Sequence, residues 1–276
     1  MKAIVQDRFG SPDVLQLREV EEPRAGDGEV VVAVRAASVN PADWYAMTGM
    51  PWVARAQMGL RGPRSGRVGI DLAGAVAAVG AGVTRFSPGD EVFGTGDGTL
   101  AEYVAVAEDT LARKPARLSF EQAAAVPVAA LTALQGLRDK GRLRPGQRVL
   151  VNGASGGVGT FAVQLAKALG AEVTAVCSTR NVETARLLGA GRVVDYTQED
   201  FTATDRRYDL LLDVAGSRPW SACRRILEPQ GRLVMVGAPK GSRLLGPLGH
   251  IAGVRLASLG PARRSSSSSP GRPART

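Results

Sequence analysis

Through the first hundred or so residues the hydrophobic positions come in short, alternating or Val-rich runs, at residues 3–5, 15–19, 29–37, 74–79 and 101–106. A period of two puts every second side chain on the same face, which is the pattern of half-buried strands. Gly- and Pro-bearing segments at 23–28, 59–69, 87–90 and 94–98 separate the runs as turns. The pattern predicts a mostly β unit of about 120 residues, an ordinary domain size. At Ser119 the rhythm changes. Ser119 to Gln122 has the S-x-x-Q form of a capping box and opens an Ala-rich helix, which puts a domain boundary there.

The second half alternates between strand and helix periods, the arrangement that builds a parallel sheet with helices on its faces. RVLVN (148–152) is an apolar strand, the Gly-rich run GASGGVG (153–159) follows it, and 160–169 reads as a helix. Val158, Phe161, Ala162, Leu165 and Leu169 fall on one face of that helix by 3.6-residue periodicity. Strands are expected at 172–178, 192–195, 208–214 and 232–236, with helices at 182–188 and around 221–227. The fold class is therefore α/β, a doubly wound parallel sheet behind a β domain.

Composition is ordinary for a globular protein: 276 residues, 44% hydrophobic and 22% charged. The net charge of +9 changes the picture only through its location. Residues 214–276 hold 11 of the 35 Lys and Arg against one acid, Glu228, so the remainder of the chain is close to neutral. Four of those arginines lie in the Arg/Ser/Pro end 261–276, which has no aromatic interleaving. Such a segment gives weak, salt-sensitive nucleic-acid contact rather than a specific site, and its composition is that of a disordered tail. Cys177 and Cys223 are too few for a disulfide framework and read as reduced thiols of a cytoplasmic protein. The start carries no apolar leader, and the longest uncharged stretch (149–166) is broken by Asn152 and four glycines, so no membrane segment is expected.

The Gly-rich turn holds the clearest chemistry. A pyrophosphate needs backbone N–H donors at close range at a helix start with no Cβ in the way, which is the use of Gly156, Gly157 and Gly159. Ala154 occupies the first glycine position of the usual G-x-G-x-x-G pattern. About 20 residues on, NAD sites carry an acid for the ribose hydroxyls and NADP sites a cation for the extra phosphate. Here Cys177, Ser178, Thr179 and Arg180 come before any acid, which favours NADPH, with Arg180 paired to the 2'-phosphate.

The run NGASGGVGTFAVQLAKALGAEVTAVCSTRN (152–181) resembles the medium-chain dehydrogenase/reductase superfamily, most closely its zinc-independent quinone oxidoreductase branch. So do VNPADWY (39–45), GIDLAGAVAAVG (69–80), FSPGDEVFG (86–94), LAEYV (100–104), AALTALQGL (129–137) and VVDYTQEDF (193–201). The resemblance implies a GroES-like domain at 1–120, a Rossmann NADP-binding domain at 121–260 and a tail at 261–276, with the active site in the cleft between the domains. It also implies that Asn40 and Thr132 lie near the nicotinamide, and Gly156, Gly157, Val158 and Gly159 against the pyrophosphate. Ser178, Arg180 and Tyr196 would surround the 2'-phosphate, and Gly237 would line the cofactor. Asn40 and Tyr45 are the catalytic candidates, Tyr45 by its match to a tyrosine near the nicotinamide in some relatives. Relatives dimerise through the Rossmann sheet edge and continue for several tens of residues beyond 260. The expectation is therefore a C-terminally shortened chain whose dimer and stability suffer.

Zinc alcohol dehydrogenases of the same superfamily need Cys and His ligands. The corresponding positions read Ser38-Val39-Asn40 and Gly69-Ile70-Asp71, and the one histidine, His250, lies beyond the last clear strand. Without zinc, the accessible chemistry is NADPH-dependent hydride delivery to a quinone or α,β-unsaturated carbonyl, with Asn40 or Tyr45 assisting the oxygen that gains charge. The alternative is an NADPH-binding protein with little or no catalytic activity. Trp44, Met47 and Trp52 are candidates either for an apolar substrate pocket or for core and lid positions.

Overall fold

The structure, a computed structural model, describes residues 1–50, 52, 55–59 and 62–237. His250 and the segment 261–276 lie outside the described residues, as does the end of the second expected domain.

Strands β1 (Lys2–Val5) and β2 (Gln16–Glu19) form an antiparallel pair. Five further strands, β3 (Glu29–Ser38), β4 (Asp71–Val79), β5 (Glu91–Thr95), β6 (Tyr103–Ala107) and β7 (Leu111–Arg113), form an antiparallel sheet in the order β6-β3-β4-β5-β7. Val30, Val32, Leu72, Val76, Val92, Val104 and Val106 all bury into one cluster with Phe86. Val30 and Val32, like Val104 and Val106, are two apart in their strands, the alternation that the hydrophobic pattern predicts. The β3–β4 ladder shifts register twice, at Val31/Val32 and Val34/Ala36. Such bulges bend a sheet and raise its twist. β5 and β7 had no counterpart among the expected strands, nor did helix α1 (Pro41–Thr48), which begins with proline at its first turn and stops at Gly49, φ 62°. A further short helix, α2 (Arg55–Met58), follows.

The capping box at Ser119 is present. Gln122 N donates to Ser119 Oγ at 3.2 Å, and Ser119 N donates back to Gln122 Oε1 at 3.0 Å. They open α3 (Phe120–Ala124), whose Ala123 and Ala124 pack with Ala73, Ala36 and Phe93 of the β domain. Helix α4 (Pro127–Leu134) follows and continues into a π-helical turn, Gln135–Lys140.

The parallel sheet is built from β8 (Arg148–Asn152), β9 (Glu172–Cys177), β10 (Arg192–Asp195), β11 (Tyr208–Asp213) and β12 (Leu227–Met235). Helices α5 (Gly157–Ala168), α6 (Val182–Leu187) and α7 (Trp220–Arg225) alternate with them. The strand order is β10-β9-β8-β11-β12, so the winding reverses between β8 and β11. The inner strands β8 and β11 are buried on both faces. Val149, Val151, Leu210 and Leu212 join the cluster under α5, while Leu150 and Leu211, their neighbours in the same strands, join the opposite cluster with Tyr208 and Ile226. That two-sided burial is why these segments read as continuous apolar runs.

Helix α5 differs in detail from expectation. Its deepest residues are Gly159, Ala162, Val163 and Ala166, with Val158, Phe161, Leu165 and Leu169 packed at the margin. Small side chains take the face nearest the sheet because they allow the helix to approach it closely. A Cβ on Gly159 would stand 2.1 Å from Gly153 O, well inside contact distance.

Candidate active site

Asp71, at the start of β4, is fully buried and gathers three donors. Ser38 Oγ donates to its Oδ2 at 2.8 Å and Asn40 Nδ2 to the same oxygen at 2.9 Å. Val128 N, in the first turn of α4, donates to Oδ1 at 3.1 Å. One carboxylate thus joins the end of β3, the entry to α1 and the start of a helix in the other half of the chain. Thr132 lies four residues after Val128, one turn further along the same face of α4. Asn40 is thus tied through Asp71 to the helix that carries Thr132.

The backbone of Asn40 is held as well. Its N–H donates at 2.7 Å to Oδ2 of Asp43, whose carboxylate is itself buried. Burial pushes the Asp43 carboxyl above its ordinary range, and the charge of Asp71 pushes the same way, while the Asn40 N–H opposes them. Tyr45 is half-buried one turn into α1 and packs edge-to-face on Trp44, ring centroids 5.1 Å apart. No hydrogen bond of its hydroxyl joins it to Asn40 or Thr132 among the described residues. Met47 belongs to the core, whereas Trp44 and Trp52 are exposed.

The Gly-rich turn is open at its tip. Ser155, Gly156 and Gly157 are exposed, and α5 begins at Gly157, so the N–H groups of Gly157, Val158 and Gly159 precede the first intrahelical partner. Those donors, with the positive end of the helix, suit an anion. A Cβ on Gly157 would meet Ala129 of α4 at 3.8 Å, which places the start of α5 beside the helix that carries Val128 and Thr132.

Behind the turn, at the reversal of strand order, lies a second buried pair. Asn152 ends β8 and Asp213 ends β11; Asn152 Nδ2 donates to Asp213 Oδ1 at 2.7 Å and to Ser217 Oγ at 3.1 Å. Gly216 N donates to the same Oδ1 at 2.8 Å, and Val236 N and Gly237 N both donate to the main-chain oxygen of Asp213. Gly237 therefore borders this pair, and its lack of a side chain is required: a Cβ there would lie 1.9 Å from Val214 O.

At the ends of β9 and β10, Tyr196 N donates to Cys177 O at 3.0 Å, which sets Tyr196 next to Ser178. Arg180 is exposed in the turn Thr179–Asn181, and its guanidinium has no partner among the described residues. The nearby Asp195 accepts from Thr179 Oγ1 at 2.6 Å and from Thr197, and the Thr179 bond foremost holds its carboxyl below the usual range. Half-buried Ser178 thus adjoins exposed Arg180 and Tyr196 on the β9 side of the Gly-rich turn.

Three residues of this arrangement escaped sequence reasoning as site residues: Asp71, Asp213 and Asp43. The available signal was a polar residue at the end of an apolar strand, as in YDLLLD (208–213) and RVLVN (148–152). A buried polar group at such a place needs a partner.

An antiparallel GroES-like sheet joined to a doubly wound sheet with an open Gly-rich turn defines the class of two-domain, nucleotide-binding folds. Family models agree: one described as alcohol dehydrogenase GroES-like domain matches residues 26–116, and one described as zinc-binding dehydrogenase matches 157–261. A chloroplastic quinone oxidoreductase of Triphysaria versicolor is 34% identical over 250 residues, covering 85% of this chain and 74% of that protein. The solved quinone oxidoreductase of Coxiella burnetii superposes with a TM-score of 0.78 at 32% identity, over 93% of this chain and 80% of the other. The Escherichia coli quinone oxidoreductase solved with NADPH gives 0.75 at 29% identity, over 88% and 76%. The chain belongs to the medium-chain dehydrogenase/reductase superfamily, in its quinone oxidoreductase-like branch. No helix among the described residues is long and apolar enough to cross a membrane.

Proposed function

We propose that this chain is an NADPH-dependent oxidoreductase that delivers hydride to a quinone or an α,β-unsaturated carbonyl without zinc. The observation that carries the reading is that the open start of α5 stands beside α4 at Ala129, and that α4 is tied at Val128 to Asp71 and through it to Asn40. A dinucleotide is long enough to reach from a pyrophosphate at the helix start to a nicotinamide beside Asn40.

NADPH, when bound, supplies the hydride, and the chain supplies binding and orientation. Gly157, Val158 and Gly159 offer N–H donors to the pyrophosphate, and the glycines keep Cβ atoms out of its way. Arg180, whose guanidinium is free among the described residues, pairs with the 2'-phosphate, with Ser178 and Tyr196 beside it. Gly237 keeps the wall next to Asp213 free of side chain. Thr132 and Asn40 orient the nicotinamide end. The protein needs no strong acid for this reaction, because a quinone or enone spreads incoming charge onto its oxygen, where an N–H of Asn40 or the Tyr45 hydroxyl can stabilise it.

A zinc ion does not fit the residues that stand where the zinc enzymes have their ligands. Ser38 and Asn40 each donate to Asp71, whose carboxylate also accepts from Val128 N, and a hydroxyl and an amide stand where zinc sites have thiolate and imidazole ligands. Among the described residues no group of three or more His, Cys, Asp or Glu side chains is placed to hold a metal ion.

The test is NADPH oxidation by the purified chain with 1,4-naphthoquinone and, separately, a 2-alkenal, each with and without a chelator. Turnover that chelation leaves unchanged is expected. Cofactor binding without turnover on either acceptor would favour the inactive NADPH-binding alternative, and loss of turnover with the chelator would reverse the assignment of zinc independence.

A further inference from the structure

Asn40 is an ambiguous hydrogen-bonding group until something settles which end of its amide faces which way. Asp71 settles it. As a carboxylate it can only accept, so the group 2.9 Å from its Oδ2 is the Asn40 nitrogen and not the oxygen. One N–H is used on Asp71, and the same side chain also meets Asp43, as the cap of the first turn of α1 and through a hydrogen bond to the Asp43 carboxylate. The backbone of the same residue is fixed from the other side by Asp43, through Asn40 N at 2.7 Å. Neither the amide plane nor the main chain of Asn40 is then free to turn.

We propose that Asp71 is a positioning residue that fixes the amide orientation of Asn40 and ties it to the seating of α4. The tie runs through the third donor. Asp71 Oδ1 accepts from Val128 N at 3.1 Å, 57 residues away in the chain, so the carboxylate is fully satisfied only when α4 of the cofactor domain is docked against β4. With α4 docked, Asp71 is buried completely and its two oxygens are divided: Oδ1 toward the helix start, Oδ2 toward Ser38 and Asn40. The orientation of Asn40 and the location of Thr132 are then set by one group. This inference rests on the reading of Asn40 as a nicotinamide contact, but the orientation of the amide itself does not.

Two measurements test it. In the wild-type chain, NMR of the side-chain amides, with Asn40 assigned by its loss in Asn40→Ala, should give one Nδ2 proton shifted downfield and protected from exchange. An Asn40 amide exchanging like an exposed side chain overturns the orientation, whatever the enzyme's activity. The second is a double-mutant cycle on NADPH affinity, read by fluorescence titration, and on kcat/KM with naphthoquinone. Asn40→Ala and Asp71→Asn are each expected to cost about tenfold, and the double variant little more than the worse single, because Asp71 acts through Asn40. Effects that multiply to about a hundredfold mean that Asp71 acts independently of Asn40, and the proposal falls. If Asn40→Ala costs nothing in either readout, the reading of Asn40 as a site contact fails instead. Should Asp71→Asn not fold, Ser38→Ala takes its place, removing a neighbouring donor to the same Oδ2.

Discussion

Asn152 donates its side-chain amide to Asp213 across the two central strands of the parallel sheet, Nδ2 to Oδ1 at 2.7 Å, at the point where the strand order reverses. Both residues are buried. Replacing Asn152 with alanine removes the amide donor at 2.7 Å and leaves the Gly216 N–H bond in place. The loss is expected to be about 1.5–3 kcal/mol, the range for a hydrogen bond to a charged group. Urea unfolding of Asn152→Ala measures it; a midpoint unchanged from wild type would mean that the pair contributes nothing to stability.

Glycines 156 and 159 separate two requirements that a motif pattern merges. A Cβ at Gly159 would collide with Gly153 O and Ala154 Cα, at 2.1 and 2.7 Å, so Gly159→Ala must push the start of α5 and the Gly-rich turn apart. A cost of roughly 3 kcal/mol is expected, the upper part of the usual overpacking range. At Gly156 the nearest atom is Gly153 O at 3.8 Å, and the backbone conformation is extended. Gly156→Ala should therefore change stability by less than about 0.5 kcal/mol and instead weaken NADPH binding. Thermal unfolding and nucleotide titration of the two variants separate these effects.

Arg180 is the charge-selective element of the proposed site. Arg180→Glu should raise the KM for NADPH at least about tenfold while leaving that for NADH nearly unchanged, since a charge-assisted pair is worth more than one such factor. Steady-state kinetics with the two cofactors decide it, and an unaltered preference removes Arg180 from the site.

Asp43 gives stability a pH dependence of known sign. Its folded carboxyl is raised, chiefly by burial and secondarily by the charge of Asp71. Above the unfolded Asp value of about 4, the native state holds this proton more tightly than the unfolded chain does. This group's contribution to stability accordingly falls as pH rises from there through the folded pKa, and is fully lost above it. Asp43→Asn should remove that part of the slope in a series of denaturation curves; a variant with the wild-type slope would place the effect elsewhere.

Neither thiol should react in the native protein. Burial raises the pKa of Cys223 to about 11, with Asp213 adding to the effect, and burial likewise raises that of Cys177. A thiol reagent at neutral pH should label neither until denaturant is added, and then both. Mass spectrometry of labelled peptides reads the outcome directly.

Much of this was legible because the apolar runs are strong and local. β8 and β10 occupy the residues expected of them, and the Ser119 capping box involves residues only three apart. α1 was not, because its burial touches only Asp43 and Met47 and leaves no apolar stripe. β7 is three residues long and exists through its partner β5, far from any local pattern. The apolar face of α5 was displaced because Gly159, Ala162 and Ala166 bury deepest while carrying the weakest hydrophobic signal. The carboxylates were hidden for a related reason. The donors to Asp71 come from 31, 33 and 57 residues away and the amide donor to Asp213 from 61. Asp43, whose donor Asn40 N is three residues away, is the local exception; no short window shows Asp71 together with the groups that satisfy it.

Helix α3 has a practical consequence for recombining this chain with its relatives. Ala123 and Ala124 lie in one small cluster with Ala73 of the neighbouring sheet, all three nearly without solvent exposure. A chimera joined at residue 119 would inherit α3 from one parent and its alanine-sized seat from the other. A larger side chain on either side would lift the helix, and with it the Val128 N–H that meets Asp71. Crossovers placed after α4 keep both sides of that seat from the same parent.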